Sequence, residues 1–114
     1  MTQSPNPDDV NAFVTRIRAQ ADAGEVRVTQ HAHQEMVEES LALDEVLQVL
    51  GAGEIIETYP VHRRGPCCLL HGVTVAGRHL HVVCTTAHAV LIIITVYEPR
   101  PPKWLNPTQR RRWT

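Results

Sequence analysis

The sequence predicts an α+β domain, ordered helix-strand-helix-helix and then a four-stranded antiparallel meander, and three observations carry that reading. Apolar residues recur at three- and four-residue spacing only in the first half, as far as Leu50. Beyond Gly53 four strand-like runs rich in Val, Ile, Leu and Cys take over, on links too short for anything but antiparallel pairing. With 114 residues, 43% of them apolar, there is material for one core and none for a second domain of ordinary size. Residues 1–104 are therefore expected as a single domain with its helices on one face of the sheet, and 105–114 as a basic C-terminal tail.

Asn6, Pro7, Asp8 and Asp9 read as a helix entry, with a capping side chain, a proline that needs no amide partner and acids at the positive helix end. Val10, Phe13, Val14, Ile17 and Ala21 then form one apolar stripe that stops before Gly24. Val26 and Val28 alternate with polar residues as a short strand, after which Thr29 caps a second helix to about Glu39. A third helix, Leu43 to Leu50, stops at Gly51 and Gly53. The four strand-like runs are Glu54–Val61, Cys67–Val75, Arg78–Thr85 and Ala89–Tyr97, the last apolar on both sides and hence central. Pro99 to Pro107 reads as an extended arm.

No apolar run approaches the ~20 residues of a membrane span, and residues 1–9 lack the basic and apolar stretches of a secretory signal, so a cytoplasmic location is expected. Cys67, Cys68 and Cys84 are an odd, poorly spaced set for disulfides or a thiolate metal site and read as reduced core residues. Charge is split along the chain. Residues 1–57 sum to −8 and residues 58–114 to +7. Either the fold presents an acidic and a basic surface, the second able to attract phosphates, or the halves neutralise each other.

Seven histidines supply the candidate chemistry. His79 and His81 lie two apart on a strand and share a face, whereas His31 and His33, equally spaced on a helix, diverge. Ile55, Glu57, Tyr59 and Val61 are expected on one face of their strand, as are Thr95 and Tyr97 on theirs. A carboxylate, two phenols and imidazoles would then gather on the helix-free side of the sheet, near Arg63, Arg64 and Arg78. RNA cleavage needs such groups: a base for the 2′-hydroxyl proton, an acid for the leaving oxygen and cations for the phosphorane. The plainer alternative is cross-strand pairs beside a solvated turn, and from the residues alone it outweighs the catalytic one. In the tail, Arg110, Arg111 and Arg112 beside Trp113 suit phosphate pairing and base stacking, or simple solubility. No cofactor or metal ligand is assigned.

The run from Gln30 to Pro60, then "RRGPCCLLHGVTVAGRHLHVV", "IIITVYEP" and Trp104, resembles the bacterial domain-of-unknown-function family 4258 over about residues 26–104. The pieces that carry the resemblance are His31 with Met36, Gly53 to Glu57 with Tyr59, Gly77-Arg78 before Leu80 to Val83, and Thr95-Val96-Tyr97. It implies a RelE-like or BrnT-like architecture and a small toxin paired with an antitoxin protein, sometimes of zinc-finger type. The chain departs from the family pattern at Glu39 and Ser40, where an arginine and a glycine are usual, and at Ala42, where a serine-like helix start is usual.

The leading expectation is thus a metal-independent ribonuclease or translation inhibitor. His81 serves as general acid or base, Glu57 and Tyr97 assist proton transfer, and Arg64 and Arg78, with Arg63, Arg110 and Arg111, bind RNA. His31, Tyr59, Thr95 and His79 are secondary candidates. The alternatives are a noncatalytic protein-binding module and a histidine-based metal binder.

Overall fold

A computed structural model describes residues 10–111 and shows an α+β fold of three helices and a mostly antiparallel sheet. Helix α1 (Val10–Asp22) buries Phe13 and Ile17 of the expected stripe, and Gln20 beside them, whose amide donates to the His88 and Ala89 carbonyls at 3.1 and 3.4 Å. The proposed cap at Asn6 to Asp9 lies outside the described residues. Strand β1 (Val26–Val28) leads into α2 (Gln30–Glu38), where the Thr29 hydroxyl accepts the Ala32 N–H at 3.1 Å, as the capping pattern requires. Helix α3 (Leu43–Ala52) runs two residues past Leu50, so Gly51 lies within its last turn and Gly53 closes it.

Strands β2 (Glu54–Tyr59), β3 (Cys67–Val73), β4 (His79–Thr85) and β5 (Leu91–Tyr97) pair antiparallel in sequence order. The expected four-stranded sheet has a fifth member: β1 pairs parallel with β5, giving the order β1-β5-β4-β3-β2 and leaving β5 inside the sheet. A parallel partner sixty-five residues away, Val26 opposite Leu91, leaves no local mark in sequence. Strands β2 to β5 are each shorter than the run expected for them. Val61 and Val75 fall in the links and are 93% and 91% exposed, so these two valines are not core.

The helices cover one face. Phe13, Ile17, Met36, Val46, Val49 and Leu50 meet Leu70, Leu80, Val82, Leu91, Ile93 and Val96 in the main core. Helix α3 sits so close to β3 that a Cβ on Gly72 would fall 2.9 Å from the Val49 Cγ1, so this crossing requires glycine.

Two findings revise the sequence reading on the other face. A bulge between Ile55 and Glu57 turns Ile55 into the helix-side core while Glu57 and Tyr59 face the opposite way, so the four expected residues do not share a face. Part of the supposed tail is structured as well, while Arg112 and Trp113 lie outside the described residues. Trp104–Asn106 and Gln109–Arg110 form a two-stranded hairpin, β6 and β7, with Trp104 only 2% exposed. Asn106 shapes its turn, its Oδ1 accepting the Thr108 N–H at 3.0 Å.

The two charge-biased halves meet in ion pairs. Arg78 pairs with Glu45, Arg100 with Glu39 and Arg110 with Glu57, each joining the basic half to the acidic one.

Candidate functional site

Alternation along β4 turns Leu80, Val82 and Cys84 toward the helices and His79, His81 and Val83 away from them. Across the helix-free face His81 stands opposite Tyr97 of β5 and His71 of β3. Its Nε2 lies 2.5 Å from the Pro107 carbonyl oxygen and its Nδ1 3.1 Å from the Tyr97 hydroxyl. A carbonyl only accepts, so Nε2 carries the hydrogen and donates, and in the neutral ring Nδ1 accepts from the Tyr97 O–H. Burial lowers the His81 pKa and raises that of Tyr97, which keeps both neutral. The Trp104 ring meets His81 edge-on, centroids 4.3 Å apart, and His81 has no exposed surface.

Glu57 forms the second half of the cluster. Tyr59 donates its hydroxyl to Glu57 Oε1 at 2.5 Å, and Arg110 grips both carboxylate oxygens, Nε to Oε2 at 2.9 Å and Nη2 to Oε1 at 2.8 Å. The Arg110 hydrogen bond holds the Glu57 carboxyl below the usual carboxylate range. Burial, and then the Glu57 carboxylate, push the Tyr59 phenol upward. Arg110 also lies over Trp104, its Cζ 4.6 Å from the ring centroid, so one guanidinium ties the hairpin to the sheet by charge and by ring contact.

His71 and His79 extend the row toward the sheet end. His71 Nε2 is 2.9 Å from His79 Nδ1, and the rings are coplanar within 7° with centroids 5.2 Å apart. The nitrogen separation and the two ring radii fill that centroid distance, so the rings lie nearly in line, edge to edge. One of the two nitrogens therefore carries the hydrogen and donates to the other. Two metal bonds of ~2.0–2.1 Å laid end to end would need a wider gap. Burial and then His79 lower the His71 pKa.

The structure brings Glu57, Tyr59, His79, His81, Tyr97 and Arg110 to one face; Thr95, opposite Val83, lies there too. They do not lie open to solvent as a group, because the hairpin covers His81. Arg78 belongs elsewhere. Its guanidinium donates to the Glu39 and Ser40 carbonyls at 2.8 and 3.1 Å and to Glu98 and Glu45, fastening the β3–β4 turn to the α2–α3 link, so it has no donor left to hold phosphate. His31 is exposed on α2, 3.2 Å from Glu35, beyond the opposite face. Arg63 and Arg64 sit in the β2–β3 link, past Thr85 and thus about 13 Å or more along the strand from His81. Arg111 follows the hairpin, its N–H donating to the Lys103 carbonyl at 2.8 Å. His71, Trp104 and Pro107 were not foreseen. His71 was within reach of the same two-residue alternation that selects His81, and Asn106-Pro107-Thr108 is a turn signal.

The departures from the expected family pattern have physical consequences. Ser40 adopts φ +53°, the left-handed region in which a glycine is free of strain. Glu39 accepts the Glu98 N–H at 2.8 Å and pairs with Arg100 at 2.9 Å, so its carboxylate anchors the chain leaving β5. At Ala42 half a capping box survives: Glu45 accepts the Ala42 N–H at 3.1 Å, with no side-chain oxygen to reciprocate.

Among the described residues no group of three or more His, Cys, Asp or Glu could hold a metal ion. Nor is a thiol poised to react: Cys67, Cys68 and Cys84 are buried, and burial pushes Cys67 up to about 11. No described helix is long and apolar enough to cross a membrane. No curated protein and no solved structure matches the chain. The family described as domain of unknown function (DUF4258) matches residues 28–98, a segment that contains Glu57, Tyr59, His71, His79, His81 and Tyr97 and ends before the hairpin. By that match, over more than half its length, this chain belongs to the DUF4258 family.

Proposed function

We propose that this chain acts on RNA as a RelE-like toxin, cleaving the strand without a metal ion at the helix-free face of its sheet, in the cytoplasm and under the control of a cognate antitoxin protein. The observation that supports it is the joined cluster itself: His81 bonded to Tyr97, and Glu57 bonded to Tyr59 and Arg110, on a single surface. For attack of a 2′-hydroxyl on the adjacent phosphate, His81 takes or returns the proton, with Tyr97 fixing its ring. The Glu57 carboxylate accepts the 2′-hydroxyl proton when His81 returns one from Nε2 to the leaving oxygen, and Arg110 is the cation nearest the developing charge. Arg63, Arg64 and Arg111 add attraction for the RNA backbone farther away.

End-labelled RNA incubated with the protein in excess chelator tests this. Cleavage is expected, and His81→Ala should slow it about 100-fold or more, the scale of a lost general acid or base. RNA left intact by the wild type, or cut equally well by the variant, refutes the reading.

A second reading is favoured by the complete burial of His81 and its bond to Pro107: the cluster is structural, and the chain is a noncatalytic protein-binding module. Stable association with the product of a neighbouring gene, unchanged in His81→Ala and without RNA turnover, would establish it.

A further inference from the structure

We infer that the β6–β7 hairpin is a displaceable cover that holds the His81–Glu57 face closed, an inference that takes the RNA-directed reading as its premise. The hairpin shares no backbone ladder with the five-stranded sheet; its two strands pair only with each other. Three side-chain attachments hold it to the face: His81 on the Pro107 carbonyl, Glu57 on Arg110, and the Trp104 ring against His81. Leu105, Asn106, Thr108 and Gln109 are exposed, so what the cover buries is confined to Trp104, 2% exposed, and the His81 ring beneath it. Lifting it therefore breaks no pairing with the five-stranded sheet and leaves the helix-side core intact, at the cost of exposing Trp104 and His81.

The attachments involve the same groups the chemistry would use. Closed, Arg110 neutralises Glu57, and the Pro107 carbonyl occupies the one His81 nitrogen not taken by Tyr97. Opened, Glu57 is a free carboxylate, His81 Nε2 faces outward, and Arg110 is released to bind phosphate. A polyanion competes with Glu57 for that guanidinium, so RNA itself favours the open arrangement. Every covered group lies within the segment matched to the family, and the cover lies outside it.

Histidine modification by diethyl pyrocarbonate, read by mass spectrometry, tests the cover without any reference to RNA. His31, with 68% of its side chain exposed, is the internal standard. In the wild type His81 should react about tenfold or more slowly than His31, at a rate independent of urea up to the foot of the unfolding transition, as local opening requires. Trp104→Ala and Arg110→Gln should each bring His81 toward the His31 rate while retaining a cooperative melt. Arg110→Gln alters a partly exposed residue and decides the matter alone if Trp104→Ala fails to fold. A His81 rate that tracks global unfolding in urea, or protection that persists in the folded variants, overturns the cover. The RNA assay on Trp104→Ala separates the two ideas. Faster cleavage than wild type supports both, whereas an exposed His81 with RNA left intact keeps the cover and refutes the ribonuclease.

Discussion

The two faces of the sheet are built from alternate residues of the same strands, yet different forces hold them. On the helix side Leu70, Leu80, Val82 and Ile93 are fully buried against Ile17, Val46 and Leu50, and apolar area removed from water does the stabilising. On the other side His81 is buried just as completely, but among a phenol, an indole and a carbonyl. Shape and volume suffice for the first face. The second depends on each donor meeting its acceptor, so losing one partner leaves another stranded. The contrast separates a scaffold, tolerant of apolar exchange, from a surface whose polar groups must keep their particular partners.

Truncation on the helix side should have the greatest effect. Leu50→Ala should cost about 2–5 kcal/mol in urea unfolding, the range for deleting a buried leucine. A loss under 1 kcal/mol, far below that range, would mean that α3 is not packed on the sheet as described. On the polar face His81→Ala should cost about 1–3 kcal/mol, because the Pro107 carbonyl and the Tyr97 hydroxyl lose their partner. Measured by the same unfolding curve, a neutral result would show that the hairpin does not bury that network.

The faces should also differ in pH response. Burial lowers the pKa of His81 and of His71, so the unfolded chain binds protons more readily than the folded one at these sites. Their contribution to stability is therefore fully present above the ordinary histidine value of 6.5 and is lost as pH falls below it toward the depressed folded values. The melting temperature should drop between pH 7 and pH 5, and His81→Gln should flatten that drop. An unchanged slope in the variant would place the titration elsewhere.

The smallest effects lie at the α2–α3 link, where both changes should stabilise. Ser40→Gly should relieve the left-handed strain at φ +53° and add about 1 kcal/mol. Ala42→Ser should complete the capping box for a similar or smaller gain, about 0.5–1 kcal/mol. Thermal melts of the two variants and of their combination check both.

Helix periodicity and strand alternation were legible because each is a local consequence of which side of an element meets the core. Thr29 as a cap, Phe13 and Ile17 as a stripe, and His81 with Tyr97 on one face could all be read that way. What escaped is non-local or one residue wide. The bulge after Ile55 falls within an apolar doublet in which either isoleucine would serve, and the β1–β5 pairing joins distant segments. Arg78 looked available because its partners come from three remote places, Glu39 with Ser40, Glu45 and Glu98. The hairpin was hidden by its prolines, which suggest an extended arm although Asn106 sets a turn.

The protonation state of His81 tests the account most directly. Long-range nitrogen–proton correlation spectra of the imidazoles, recorded on the whole protein at pH 6, should show His81 as a neutral ring with its hydrogen fixed on Nε2. A charged His81, or one averaging between tautomers, would contradict the bonds to Pro107 and Tyr97 and with them the closed polar face.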